Sequence, residues 1–147
     1  MGFSRPLIRL ARSAWRLPGH HKALAVEAMM WLAVCWAALR VTNYGAASAL
    51  ITAASQRSRT IGRSAEDCAD ALRRASRILR VPGCLVRAMA AQAMLRRSGR
   101  AAVLTFGVQR YSDGRMAAHA WTECDGLIVC GGDEAARYTS LAGPGSS

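Results

Sequence analysis

The hydrophobic period of this chain changes once, at Ser98-Gly99, and that change restricts what it can fold into. Before it, apolar residues recur at helical spacing. After it, Ala102 to Arg110 (Ala-Val-Leu-Thr-Phe-Gly-Val-Gln-Arg) follows the two-residue alternation of a strand. Helices gathered ahead of strands, instead of interleaved with them, specify an α+β domain. Tyr111 to Arg115 reads as a turn, Met116 to Glu123 as a second strand, Asp125-Gly126 as a hairpin turn and Leu127 to Cys130 as a third strand. The Gly/Ser-rich tail from Ser140 is expected to be disordered.

Four helices are expected ahead of the sheet. Ala23 to Arg40 is apolar on nearly all sides, a pattern that predicts burial. A weaker helix runs from the Asn43-Tyr44-Gly45 turn to about Ser55, and Gln56 to Gly62 is a polar linker. Ser64 is the predicted N-cap of an amphipathic helix with Asp67 at the capping-box spacing. Its outer face carries Glu66, Asp70, Arg73, Arg74 and Arg77, a solvated face or a contact for an acidic peptide. Pro82-Gly83 stops that helix. The Ala/Met/Leu run after it, ending at Ser98-Gly99, is the expected central buried helix. We divide the chain into a basic arm with apolar helices (1–56), a catalytic core (57–140) and a disordered tail (141–147).

The formal net charge of +11 suits an anionic partner, but the positive charge is almost all arginine and aromatic residues make up only 6%, which argues against nucleic-acid stacking platforms. The apolar run Ala28 to Leu39 is shorter than the roughly 20 residues of a membrane span. Arg5, Arg9, Arg12 and Arg16 are spaced for an amphipathic surface, so peripheral membrane contact is an expectation, and no signal-peptide apolar region precedes Pro18. Cys35, Cys68, Cys84, Cys124 and Cys130 form an odd set without CxxC or zinc-finger spacing. That set predicts no disulfide framework, no metal and a reducing cytoplasm, and no cofactor is expected.

Among these cysteines, Cys84 stands alone at a helix start, where the dipole and free N–H groups favour a thiolate. His119, in Ala118-His119-Ala120-Trp121-Thr122-Glu123, is the histidine on a strand downstream, and Trp121 shares its face. A helix-start cysteine and a sheet-borne histidine form a nucleophile and its base, usually with a third group that orients the imidazole. Asp125 at the turn is about 20 Å away along the strand, and Glu123 about 13 Å. A three-residue loop, Cys124-Asp125-Gly126, pairs Glu123 with Leu127 and His119 with Gly131 and makes Asp133 a same-face diagonal neighbour. A two-residue loop pairs His119 with Gly132 instead and turns Asp133 to the other face if the strand continues, although Gly131-Gly132 lets the backbone bend. Asp133 is the expected third member, with Glu134 a further acid nearby.

Taken together, Cys84-Leu85-Val86-Arg87-Ala88-Met89-Ala90, Leu95-Arg96-Arg97-Ser98-Gly99, Leu104-Thr105-Phe106-Gly107-Val108 and the His119 motif with Asp125-Gly126 resemble the lasso peptide biosynthesis B2 proteins. The resemblance covers about residues 60 to 140 and extends to the helical N-terminal part. It implies a transglutaminase-like, papain-like core in which a nucleophile helix packs on a small antiparallel sheet, with an N-terminal helical extension. It further implies a cysteine protease that removes the leader peptide from a lasso precursor, a hydrolase of ribosomal peptide maturation with Cys84 as nucleophile and His119 as base and acid. The chain departs from the family at the third position, where an aspartate is usual about where Gly131 lies, leaving Asp133 as the substitute. With no room for a winged-helix-like recognition domain before residue 22, the split form is expected, served by a separate leader-recognition protein and followed by a macrolactam synthetase. The rival readings are a transglutaminase-like acyltransferase using the same residues, a catalytically dead scaffold, and a non-catalytic basic module at a membrane or nucleic-acid surface.

Overall fold

The computed structural model describes residues 19–57, 62–80 and 83–141, the side chains of His20 and Asp133 excepted. Four long helices come first: α1 (Gly19–Val41), α2 (Tyr44–Arg57), α3 (Ala65–Leu79) and α4 (Cys84–Arg97). β1 (Ala102–Arg110), β2 (Met116–Cys124), β3 (Leu127–Cys130), a one-turn helix α5 (Gly132–Ala135) and β4 (Thr139–Leu141) follow. The expected α+β architecture is the observed one.

The centre of the fold is α4, which packs on α1, α2 and α3 and, across its other side, on β1, β2 and β3. Ala88, Ala90, Ala91 and Ala93 are buried along it, and their small side chains let two layers approach one helix. Met89, Met94 and Leu95 fill the remaining space. Ser98 ends the helix, its N–H and its hydroxyl both donating to the Met94 carbonyl, at 3.1 and 3.0 Å, and Gly99 follows with φ +80°. At the start of α3 the Ser64 hydroxyl accepts the Asp67 N–H at 2.9 Å, the cap expected from its sequence.

The α1 helix differs from expectation in two ways. Only one stripe of it, Leu24, Ala28, Trp31, Leu32 and Cys35, is buried, while Val26, Met30 and Val34 are exposed. It is the outer helix of the bundle and meets its neighbours along one side. It is also longer than its densest apolar run: the stretch His21–Val41 is long and apolar enough, by length and composition, to cross a membrane. The buried stripe is nonetheless part of the protein core, and Glu27, buried within it, pairs with Arg63 and, at 2.8 Å, with Arg97. Residues 1–18, which include the basic arm, lie outside the described residues.

The sheet is antiparallel throughout in the order β3-β2-β1-β4, with Gly107 of β1 directly opposite His119 of β2. Asp125 (φ +53°) and Gly126 (φ +79°) form a two-residue hairpin turn, because aspartate and glycine tolerate the two positive φ angles that such a turn requires. Glu123 therefore faces Ile128 rather than Leu127, which corrects the three-residue loop. A bulge then pairs Thr122 with Cys130, and β3 ends before it reaches His119. The tail also departs from expectation. Thr139–Leu141 pairs with Phe106, Gly107 and Val108 on the open edge of β1, whose backbone groups would otherwise lack partners. Residues 142–147 lie outside the described residues.

Candidate active site

Gly83, with φ +106°, occupies the N-cap position of α4 in a conformation that suits glycine. It offers no side-chain cap, so the first N–H groups of α4 meet no side-chain acceptor from their own cap. Cys84 is the first residue of α4 and is half-buried. One turn into α4, the Ala88 carbonyl accepts a 2.7 Å hydrogen bond from the fully buried Thr122 hydroxyl. That bond fixes the strand carrying His119 against the helix carrying Cys84.

His119 is buried in the middle of β2. Its ring stacks with Tyr138, 5.0 Å between centroids, and with Trp121, at 6.0 Å. Gly107 makes this wall possible. A Cβ there would lie 2.7 and 2.8 Å from two Trp121 ring atoms and 2.8 Å from the Tyr138 Cβ. Glu123 accepts the Trp121 indole N–H at 2.6 Å and so holds that ring in place.

The two imidazole nitrogens have different surroundings. Nε2 is 3.0 Å from the Gly131 carbonyl. A carbonyl only accepts, so Nε2 carries the hydrogen and Nδ1 of the neutral ring is left with a lone pair. The carboxylate of Glu134, on exposed α5, is 3.9 Å from Nδ1. Gly131 itself has φ +86°, and a Cβ on it would lie 3.1 Å from Nε2 and 3.0 Å from the Trp121 Cβ. A side chain at this position is therefore opposed both by the backbone angle and by lack of space.

The Tyr138 ring that stacks on His119 also feels the charge of Cys84. Burial pushes the Tyr138 phenol up, with Tyr111, Glu134 and Cys84 adding to the rise. Burial likewise pushes the Cys130 thiol up, against Arg87 and Arg73, and Cys84 adds to it. Asp133 lies on α5, next to Glu134, but its side chain is outside the described residues. Asp125, at the hairpin tip, pairs with Arg100 at 2.8 Å. Among the described residues no group of three His, Cys, Asp or Glu side chains comes together to hold a metal ion.

A cysteine at the head of the central helix, which lies against an antiparallel sheet carrying a histidine, is a papain-like arrangement. The model of the Transglutaminase-like superfamily matches residues 28–143, most of the chain. The protein belongs to that superfamily, in which cysteine-based catalysis is general. Comparison with curated proteins and with solved structures returned no match.

Sequence reasoning did not single out Tyr138, Gly107 or the Gly131 carbonyl. Tyr138 falls in a stretch without periodicity, and a backbone oxygen leaves no residue-type signal. Gly107, an isolated glycine inside a strand pattern, did carry a signal of close approach.

Proposed function

We propose that the protein is a cysteine peptidase that removes the leader from a lasso peptide precursor, with Cys84 as nucleophile and His119 as base and acid. The observation that carries the chemistry is the 3.0 Å contact of His119 Nε2 with the Gly131 carbonyl, which favours the Nε2–H tautomer and supports Nδ1 as the base. The lasso assignment rests on the motif resemblance around Cys84 and His119.

In the proposed reaction Nδ1 takes the Cys84 proton, and the sulfur forms a bond to the scissile carbonyl carbon. The charge gathering on its oxygen is met by N–H groups at the head of α4. The C–N bond breaks as Nδ1–H protonates the leaving amine, producing a thioester on Cys84 and freeing the α-amine of the core. Water deprotonated by Nδ1 then attacks the thioester, the C–S bond breaks, and the thiol is regenerated with a carboxylate on the leader. Gly131 occupies the position of the family's usual aspartate, and its carbonyl orients the ring. Asp133, the third member expected from the sequence, is tested by Asp133→Asn: a fall in turnover of orders of magnitude supports it, and a mild effect assigns the orienting role to the carbonyl alone.

The proposed partners are the lasso precursor, a separate leader-recognition protein and a macrolactam synthetase that consumes the freed amine. Cys35, Cys68, Cys84, Cys124 and Cys130 are all unbridged, which supports a reducing cytoplasm as the compartment. Acyl transfer to an amine is the second reading, favoured by the aromatic wall of Trp121 and Tyr138 that screens His119 from water. Reaction with precursor and recognition protein in ¹⁸O-labelled water separates the two. Hydrolysis puts one ¹⁸O into the new leader carboxylate, and transfer leaves the product unlabelled and heavier by the amine.

A further inference from the structure

A cleft of about 430 Å³ opens beside His119, between α3 and the segment that runs from β3 into α5. His119 and Cys130 line it and Cys84 does not, so it adjoins the proposed nucleophile without containing it. Its wall is cationic. Arg73 and Arg77, one turn apart on α3, and Arg87 of α4 all line it, with Glu134 as the opposing charge. The Glu134 carboxylate is largely exposed and lies on the His119 side. Arg73 is tied to Asp70 at 2.6 Å on the outer surface.

Two polar groups in that wall lack partners. The Nε of Arg87 and the hydroxyl of Ser76 are buried and have no hydrogen-bond partner among the described residues, and both residues line the cleft. Leaving a buried donor unpaired is unfavourable, and more so for a charged group. The Arg87 Nε only donates and the Ser76 hydroxyl can donate as well as accept, so an acceptor satisfies both, and the arginines lining the cleft select an anion. Guanidinium matches the two oxygens of a carboxylate in a planar, two-bond contact.

We propose that this cleft is a substrate subsite for a carboxylate of the peptide, an Asp or Glu side chain near the scissile bond, gripped by Arg87 with Ser76 and Arg77. The assignment rests on the peptidase reading for its biological meaning, but the binding it describes does not require cleavage.

The test uses Cys84→Ala in the full chain and short peptides capped at both ends, with binding followed through Trp121 fluorescence. One peptide carries a central Glu, a second carries Gln in its place, and a third has Gln with a free C-terminal carboxylate. The Glu peptide is expected to bind about 10- to 100-fold more tightly than the Gln peptide, the effect of one charge-assisted contact. Arg87→Gln should abolish that preference and Arg77→Gln should reduce it. Arg74→Gln, which lines a separate crevice beside Asp67 and Asp70, should leave it intact. Where Arg87→Gln lowers the melting temperature, Arg87→Lys replaces it and should retain only part of the preference. Equal binding of the Glu and Gln peptides, or a Glu preference indifferent to Arg87, overturns the proposal. Tighter binding of the free C-terminal carboxylate than of the Glu side chain also overturns it and points to a terminus-binding site. Loss of Cys84 dependence in cleavage overturns the peptidase reading alone and leaves this binding result standing.

Discussion

Replacing Gly107 by alanine adds one methyl group to a place where the structure has no room for it. The new Cβ would sit 2.7 and 2.8 Å from the Trp121 ring and 2.8 Å from the Tyr138 Cβ. Carbon atoms prefer about 3.5 to 4.0 Å, so the ring and Tyr138 must retreat by roughly 0.7 to 1.3 Å. Tyr138 is attached just ahead of β4, and moving it strains the pairing of β4 with β1. Overpacking of this kind costs about 1 to 3 kcal/mol. For a chain of this size that corresponds to a fall in melting temperature of about 2 to 12 °C. The functional loss is expected to be larger than the loss of stability, because the displaced rings are the two that stack on His119. Misplacing a reacting group by 1 Å costs on the order of 100-fold in turnover. Calorimetry gives the first quantity and precursor cleavage at saturating substrate the second. Gly45→Ala, whose nearest atom is the Asn43 side-chain oxygen at 3.4 Å, is the control and should change neither. Wild-type stability and turnover in Gly107→Ala would refute the claim that this glycine makes room for the aromatic wall.

Glu27→Gln removes the buried charge that holds Arg63 and Arg97, and should lower the unfolding free energy by about 3 kcal/mol in urea titration; a loss under 0.5 kcal/mol would mean that the pairs do not couple α1 to α4. Gly131→Ala forces a side chain into a positive-φ position 3.1 Å from Nε2, and should cost about 1 to 2 kcal/mol and shift the His119 ¹⁵N signals away from the Nε2–H tautomer, whereas unchanged spectra would contradict the orienting carbonyl. Burial pushes the Cys35 thiol up to about 12 from 9.0, so above pH 9 the unfolded chain gives up a proton that the folded protein keeps. Stability should therefore be level below pH 9 and fall through the window from 9 to 12, by up to about 1.4 kcal/mol per pH unit from this group. Cys35→Ala should flatten the decline between pH 9 and 10.5, and equal slopes in the two proteins would remove Cys35 as its source.

The strands β1 and β3 were legible to the residue because alternation and the Asp125-Gly126 pair are local signals. So were the Ser64 cap and the cysteine at the head of α4. What escaped was decided by non-local contact. The bulge between Thr122 and Glu123 has no composition of its own, yet it sets where β3 stops and hence what faces His119. β4 exists because β1 has an open edge, and Thr139-Ser140-Leu141 alone does not announce a strand. The pairing of Glu27 with Arg97 joins residues 70 apart in sequence, a separation that no periodicity bridges. The 3.0 Å contact between His119 Nε2 and the Gly131 carbonyl also escaped, because a backbone oxygen carries no residue-type signal.

In the proposed reaction Cys84 attacks and His119 moves the proton. This is tested most directly by cleavage of the proposed lasso precursor, in the presence of the proposed recognition protein, by wild type, Cys84→Ala, His119→Ala and Cys130→Ala, with products resolved by mass. Cys84→Ala and His119→Ala should leave the precursor intact while remaining folded, and Cys130→Ala should still release leader and core. Cleavage by Cys84→Ala at the wild-type rate would contradict the account.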